Sequence, residues 1–545
     1  MLPEVLCFCL LALLLMGCKA RERPVDAGVR NQVLHIANGA EPQSMDPHVV
    51  TGFPEVRILE NVFEGLVGID PVTLEPVPAA AKAWKISPDG RKYTFFLKEN
   101  LKWSNGEPLT ANDFHYSLNR ALSPGLATPY IQFFQGITNA IAFNKGEVVD
   151  FDQVGCKVID DQTLEFLLDH PHPVLLLYLD GQYFFPVHRA TVEKFGAMDE
   201  RGTGWFRPEN IVSNGAFNLV RWKTNSLLTL EPNPHYWDRE TVRLKQVNFY
   251  PIESHDTTYR AYQNGQIHVA GSLPLHVIQE MEQTRPPHYH SHQFLGTYYY
   301  SFNVEKPPLD DALVRKALSL AINRSDIVEQ VTQGGQRAAV SFIPPGANHY
   351  QPDYTFKEDL AEARQLLAKA GYPDGVGFPQ LEVLYNTAES HRKIAEAIQQ
   401  MWKTGLGIDV KLVNMEWKVY LDTRDNGDFQ IARAGWVGAT DYAGYLDIFL
   451  SNSGNNDSNW VNAEFDAYYE QAQRTMDPQL RIETIQRAEA ILLKEMPLAP
   501  IYHYQRNYLV DTRVRNWYDN VIDSRPLKFV YLQEGGEAPK GANEE

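Results

Sequence analysis

Three histidines at alternate positions, His288, His290 and His292 in PPHYHSHQF, are the first residues whose types and spacing suggest chemistry. On a strand all three would project from one face, and imidazoles so placed can hold zinc or nickel. No carboxylate or thiolate close in sequence completes a ligand set, and an exposed strand shows the same polar alternation. A solvated strand is therefore the expectation, and no metal is assigned. The acid pairs Asp160-Asp161 and Asp310-Asp311 fall at an expected turn and an expected helix start. Neighbouring carboxylates in a sequence face different ways, so they do not define an acid/base pair. The chain contains no Gly-x-x-x-x-Gly-Lys-Ser/Thr loop, no His-Glu-x-x-His helix and no Gly-x-Ser-x-Gly elbow. No catalytic constellation and no cofactor follow from these residues.

Cysteine is used at Cys7, Cys9, Cys18 and Cys156, which excludes a disulfide framework for the body of the chain. The run from Val5 to Met16 is wholly apolar. It is shorter than the roughly 20 residues of a membrane-spanning helix and has the length of a signal-peptide apolar region. The residues that follow, Leu15-Met16-Gly17-Cys18, resemble a bacterial lipobox, although the leading segment carries Glu4 and no basic residue. The expectation is that residues 1 to 17 are removed and Cys18 is lipidated; a buried N-terminal helix with a chance cysteine is the alternative. Residues 18 to 30 then read as a polar tether, and 535 to 545 as a frayed tail.

Between these ends lies a body with ordinary globular values, 44% hydrophobic and 22% charged residues, long enough for two to four domains or one composite unit. A net charge of -18 disfavours nucleic acid and anionic surfaces as partners. Aromatic residues reach 12%, which hints at a ligand or partner surface. Tyr93, Phe95 and Leu97 alternate as in a half-buried strand, and Phe114, Leu118 and Ala121 share a helical face from Asp113 onward. Leu313, Ala317, Leu320 and Ala321 form a second stripe behind Asp310 and Asp311, and a further helix stops at Gly371 before Pro373. His391 to Lys403 is helical in pattern, and Ile408, Val410 and Leu412 alternate after Gly407. Helices and strands interleave throughout, which predicts α/β architecture.

Five long blocks in order then resemble one family, the periplasmic solute-binding proteins of peptide ABC importers, and within it the oligopeptide-binding branch. They are EPQSMDPHVVTGFPEVRILENVFEGLV, KWSNGEPLTANDFHYSLNRAL, VSNGAFNLVRWKTNSLLTLEPNPHYWD, YYYSFNVEKPPLDDALVRKALSLAINR and NTAESHRKIAEAIQQMWKTGLGIDVKLVNMEWKVYLDTRDNGDFQIARAGW. The resemblance covers about residues 31 to 530. It implies the two-lobed periplasmic-binding-protein fold of type II, with a hinge and an extra domain. One lobe would be built from 31 to 63, 188 to 295 and 516 to 545, the extra domain from 64 to 187, and the other lobe from 296 to 515.

The same resemblance implies a peptide held extended between the lobes through its backbone, with side chains in hydrated pockets. Carried over residue by residue, Asp441 would hold the α-ammonium, although Val437 to Thr440 make a longer spacer after Trp436 than in the oligopeptide-binding relatives. Arg433, Arg424 and His391 would supply cations for the α-carboxylate. Trp417 and Trp436 would line side-chain pockets, and Gly52, Phe53 and Gly435 would meet the peptide backbone. Three charged positions of the oligopeptide-binding branch are replaced by Thr51, Ser301 and Thr332. The implied partners are a peptide and the permease and ATPase subunits of an importer, with the membrane reached only through the lipid and the chain a monomer. Each assigned residue also has a plainer reading: a turn aspartate for Asp441, surface salt bridges for the cations, core packing for the tryptophans. At the level of the whole chain, another cargo carried by the family, such as a cell-wall peptide, metal chelate or opine, and an exported hydrolase are the competing readings.

Overall fold

A computed structural model describes residues 22–347, 350–437 and 441–535. The expected signal segment and Cys18 lie outside the described residues. Strands and helices alternate along the chain, and one curled sheet of eleven strands runs through the body. Its order is Val410–Met415, Leu381–Asn386, Ile431–Val437, Tyr289–Phe302, Leu498–Val510, Val269–Ala270, Val33–Ala37, Gln246–Tyr250, Leu227–Pro232 and Phe217–Lys223, with Arg337–Ala338 paired beside Leu498–Val510.

Three large apolar cores divide this framework. One packs residues between Leu295 and Tyr502, including the fully buried Trp402. A second combines Val29 to Phe63, Phe185 to Val269 and Tyr508 to Leu532. The third runs from Leu66 to Phe184 around an antiparallel sheet ordered Ala81–Ile86, Lys92–Leu97, Thr163–Leu167 and Cys156–Asp160. Tyr93, Phe95 and Leu97 bury their side chains there, as their alternation requires. The strands Tyr289–Phe302 and Leu498–Val510 pair antiparallel along most of their length; both reach the first core, and the latter runs on into the second through Tyr508 and Val510. Their register shifts between Gln293 and Thr297, between the two cores. Two long strands crossing with a local irregularity are what a bending connection between lobes needs.

The helical stripes appear as Ala111–Leu122, Ala312–Leu320, Leu360–Lys369 and Glu389–Leu406. Thr110 and Asp113 form a reciprocal capping box, and Asp311 caps the second helix through the Leu313 amide. The residues 24 to 30, expected as part of a polar tether, are corrected: Pro24–Asn31 is a helix that buries Val25, Gly28 and Val29. Val25 and Val29 stand four apart, one helical turn, a stripe too short to be conspicuous in a polar segment.

Candidate functional site

The histidine triplet lies on and just before strand Tyr289–Phe302. His290 Nδ1 lies 2.9 Å from Asp519 and its ring stacks on Tyr508, while His292 faces Asp519 and Arg525. These rings are half-buried in a polar cluster rather than solvated on an open strand. Among the described residues no group of three ligating side chains is arranged for a metal ion. Asp160 accepts from the Gln162 amide in a turn.

A cavity of about 560 Å³ gathers Gly52, Phe53, His391, Trp417, Arg424, Arg433, Gly435 and Trp436, with Thr51 beside them. Regular elements place each one. Gly52 is the N-cap of helix Phe53–Val62, so the peptide groups of Gly52 and Phe53 lie at the start of that helix. Helix Trp417–Asp425 carries Trp417, Leu421 and Arg424 at spacings of four and three, which puts all three on the face toward the cavity. On strand Ile431–Val437, Arg433, Gly435 and Val437 alternate toward it. The Trp436 indole donates to the Gly444 carbonyl at 2.8 Å and also lines the cavity.

Arg433 is the cation at the centre of this wall. Its guanidinium donates to the Tyr504 hydroxyl at 2.8 Å and to Asn386 Oδ1 at 3.4 Å, and sits 4.7 Å from the Tyr298 ring centroid. Neither of those bonds goes to a carboxylate, and its Nε is buried without a partner. Gly435 makes this arrangement fit, because a Cβ there would collide with the Tyr504 hydroxyl. An arginine so placed has binding capacity left for an anion.

The other two expected cations differ from expectation. Arg424 is ion-paired with Asp457, which lines the same cavity, so its charge is already met. His391 is not a cation: burial, then the charges of Arg433 and His255, hold it well below the usual histidine range. It is a neutral imidazole whose Nδ1 is buried without a partner. Ser301 and Thr332 are buried in the body of the protein.

The reading of Asp441 as an ammonium anchor is corrected. Both of its carboxylate oxygens accept from Arg481 of helix Pro478–Glu495, at 2.6 and 2.8 Å, and the pair is almost wholly buried. Asp441 is not among the residues lining the cavity. Its longer spacer ends beside an arginine that meets its charge and bonds both oxygens, in a pair buried away from the cavity.

Residues that sequence reasoning did not single out complete the cavity. Tyr504 and Arg506 come from strand Leu498–Val510, where the period-two aromatic pattern of IYHYQRNYLV was the available signal. Arg506 pairs with Asp523 at 2.8 Å, and Arg525 and Arg57 stand around the same carboxyl; burial opposes its ionisation, but the three arginines hold it below the usual range. Glu60, Asp180 and Tyr183 carry no recognisable motif. Across the cavity, Gln43 donates to Asp422 at 2.8 Å and Asn455 donates to the Pro129 carbonyl at 2.7 Å. These bonds join the two sides of the cleft.

Two lobes joined by crossing strands, closed over a cavity lined from both sides, define a solute-binding protein of the two-lobed type. Comparison with known proteins agrees with that class. Residues 75–457 match the bacterial extracellular solute-binding proteins, family 5 (middle region), and the chain belongs to this family. It is 36% identical over 541 residues to the periplasmic oligopeptide-binding protein OppA of Escherichia coli K12, covering 96% of each chain. It is 37% identical over 513 residues to the periplasmic murein peptide-binding protein MppA of the same organism, covering 92% of this chain and 93% of that one. Among solved structures, Haemophilus influenzae OppA in complex with RPPGFSPFR superposes with a TM-score of 0.87 at 33% identity, over 92% of this chain and 99% of that one. The murein tripeptide binding protein MppA of E. coli gives 0.85 at 36% identity, over 92% and 98%. Its unliganded open form gives only 0.62, at 36% identity and over 92% and 97%. The lobes here are thus arranged unlike that open form.

Proposed function

We propose that the protein is an extracytoplasmic receptor that encloses a peptide between its lobes and passes it, chemically unchanged, to the permease and ATPase subunits of an ABC importer. The observation that carries this reading is Arg433, a cation without a carboxylate partner on the wall of a cavity that His391 also lines. A peptide's terminal carboxylate supplies the anion that Arg433 lacks. The relatives named for oligopeptides and for murein peptides support peptide as the ligand class, and the second favours a cell-wall peptide within it. The lipobox-like LMGC supports anchoring through Cys18, with the folded body acting as a monomer.

The test is mass spectrometry of ligand released from protein purified without denaturation, followed by calorimetric titration of the peptides found. Peptides recovered intact and bound again support the reading. Cleaved product appearing during incubation, or a non-peptide cargo, overturns it. Changing Cys18 to Ser and finding the protein still membrane-bound would remove the anchoring claim alone.

A further inference from the structure

With Asp441 committed to Arg481, a ligand's positive group needs another partner, and the carboxylates of the cavity wall are the candidates. Of the carboxylates that line it, Asp457 is paired with Arg424 and Asp523 with Arg506. Glu60, Asp180, Glu253 and Asp425 line it too and take part in no ion pair among the described residues. Glu60 and Asp180 are set apart by lying where the main cavity meets a side cavity of about 100 Å³, since both border both spaces and Glu253 and Asp425 border only the main one. Glu60 stands seven residues beyond Phe53 on helix Phe53–Val62, about 10 Å along the axis from the backbone groups at its start.

A third group points the same way. Tyr183 is 7% exposed and lines the cavity, yet its hydroxyl has no hydrogen-bond partner among the described residues. Its ring folds back over Gly181, the residue after Asp180, where a Cβ would collide with the ring and lie 2.7 Å from the hydroxyl. Glycine at 181 is what lets the ring fold there, next in sequence to Asp180. With no protein partner, that hydroxyl opens on the cavity and is free to bond a ligand or water.

We propose that Glu60, Asp180 and the Tyr183 hydroxyl form a subsite that binds a protonated primary amine of the ligand. The inference rests on the peptide reading above and assigns its positively charged end. Two carboxylates and one hydroxyl match the three N–H donors of an ammonium group. The surroundings agree: burial, then the charge of Asp180, pushes Glu60 up to about 8, and burial, then the charge of Glu64, pushes Asp180 up to about 7. Arg57 and Arg525 face Glu60, and Lys528 faces Asp180, without pairing with either. An arriving cation restores the ionised state that burial disfavours.

The amine can come from a peptide's N-terminus or from a lysine-type side chain, and three probes separate these sources: trialanine, Nα-acetyl-trialanine and Nα-acetyl-Ala-Lys-Ala. Each is titrated by calorimetry into the full chain and into Glu60→Gln, Asp180→Asn and Tyr183→Phe. If the α-ammonium is held, each acid variant weakens trialanine by about tenfold or more while acetyl-trialanine is unchanged. If a side-chain amine is held, acetyl-Ala-Lys-Ala is the probe that weakens. Acetyl-trialanine binding in the same preparations controls for folding. A wild type that binds the peptides with all three variants within twofold of it, or variants that weaken acetylated and free peptides alike, overturns the subsite. A wild type that binds none of the peptides overturns the peptide reading itself, and the subsite falls with it.

Discussion

Arg481 holds both oxygens of Asp441 in a buried, two-pronged ion pair that links helix Pro478–Glu495 to the segment after strand Ile431–Val437. The pair is structural, so its loss is read in stability. Replacing Asp441 with Ala leaves a guanidinium uncompensated in a dry site, a change that typically costs about 3–5 kcal/mol. Thermal or denaturant unfolding should show that loss. The ratio of affinities for N-acetylated and free peptides should stay at its wild-type value; a selective loss of free peptides would return Asp441 to the ligand.

Arg433 should behave in the opposite way. Arg433→Ala removes the only assigned cation that lacks a carboxylate partner, and a buried charge-assisted contact of this kind is worth about 2–5 kcal/mol. Peptides with a free C-terminus should weaken by about 30-fold or more, and C-amidated peptides, weak on the wild type, should change little. Arg424→Ala should be milder for ligand and harsher for folding, because Arg424 already serves Asp457. Equal effects of Arg433→Ala on free and amidated peptides would place the carboxylate elsewhere.

The bond from Asn455 to the Pro129 carbonyl joins the region of the third core to the opposite side of the cleft. A neutral hydrogen bond contributes about 1 kcal/mol net. Asn455→Ala should therefore weaken peptide binding by about fivefold, mostly through faster release, with unfolding nearly unaffected. Solution scattering should show a larger radius of gyration for the ligand-free variant than for its saturated form. The indoles of Trp417 and Trp436 line the cavity, so fluorescence should follow the same closure. No change in release rate would mean that this contact does not hold the lobes together.

The cavity wall that carries Arg433 was legible in the sequence because its residues lie on regular elements. Trp417 and Arg424 share a face by helical spacing, and Arg433 and Gly435 share one by strand alternation, so a family pattern carried over keeps their directions. Asp441 was misread for the opposite reason. Whether a carboxylate is free depends on Arg481, 40 residues later on another helix, and no local pattern announces that pairing. Glu60 and Asp180 lie far apart in the chain and share no motif, so only the folded arrangement brings them to the same cavities. The state of His391 was illegible in the same sense, since its neutrality comes from burial and from Arg433. The helices and the alternating strands were recognised from their periods, whereas helix Pro24–Asn31 shows too few apolar positions to stand out.

His48 ties the Leu66 to Phe184 core to the lobe beside it. Arg120 donates to His48 Nδ1 at 2.8 Å, so the ring proton must sit on Nε2, which donates to the Phe185 carbonyl at 2.9 Å. Arg120 also forms a buried pair with Asp46. Burial, then the positive charge of Arg120, pushes His48 down to about 4, against about 6.5 in an unfolded chain. With a depressed pKa, the folded form refuses a proton that the unfolded form accepts, so the stability His48 contributes is present above about pH 6.5 and is lost as pH falls toward 4. His35 and His268, both at about 4 through burial, act with the same sign. Nitrogen NMR of the His48 ring should show an Nε2-protonated neutral imidazole that does not titrate between pH 5 and 8. His48→Gln, whose amide can accept from Arg120 and donate to Phe185, should lose less stability than the wild type between pH 7 and 5. A His48 ring that titrates near pH 6.5, or an unchanged slope in the variant, would show that this site is hydrated and that the Arg120 contact does not fix its tautomer.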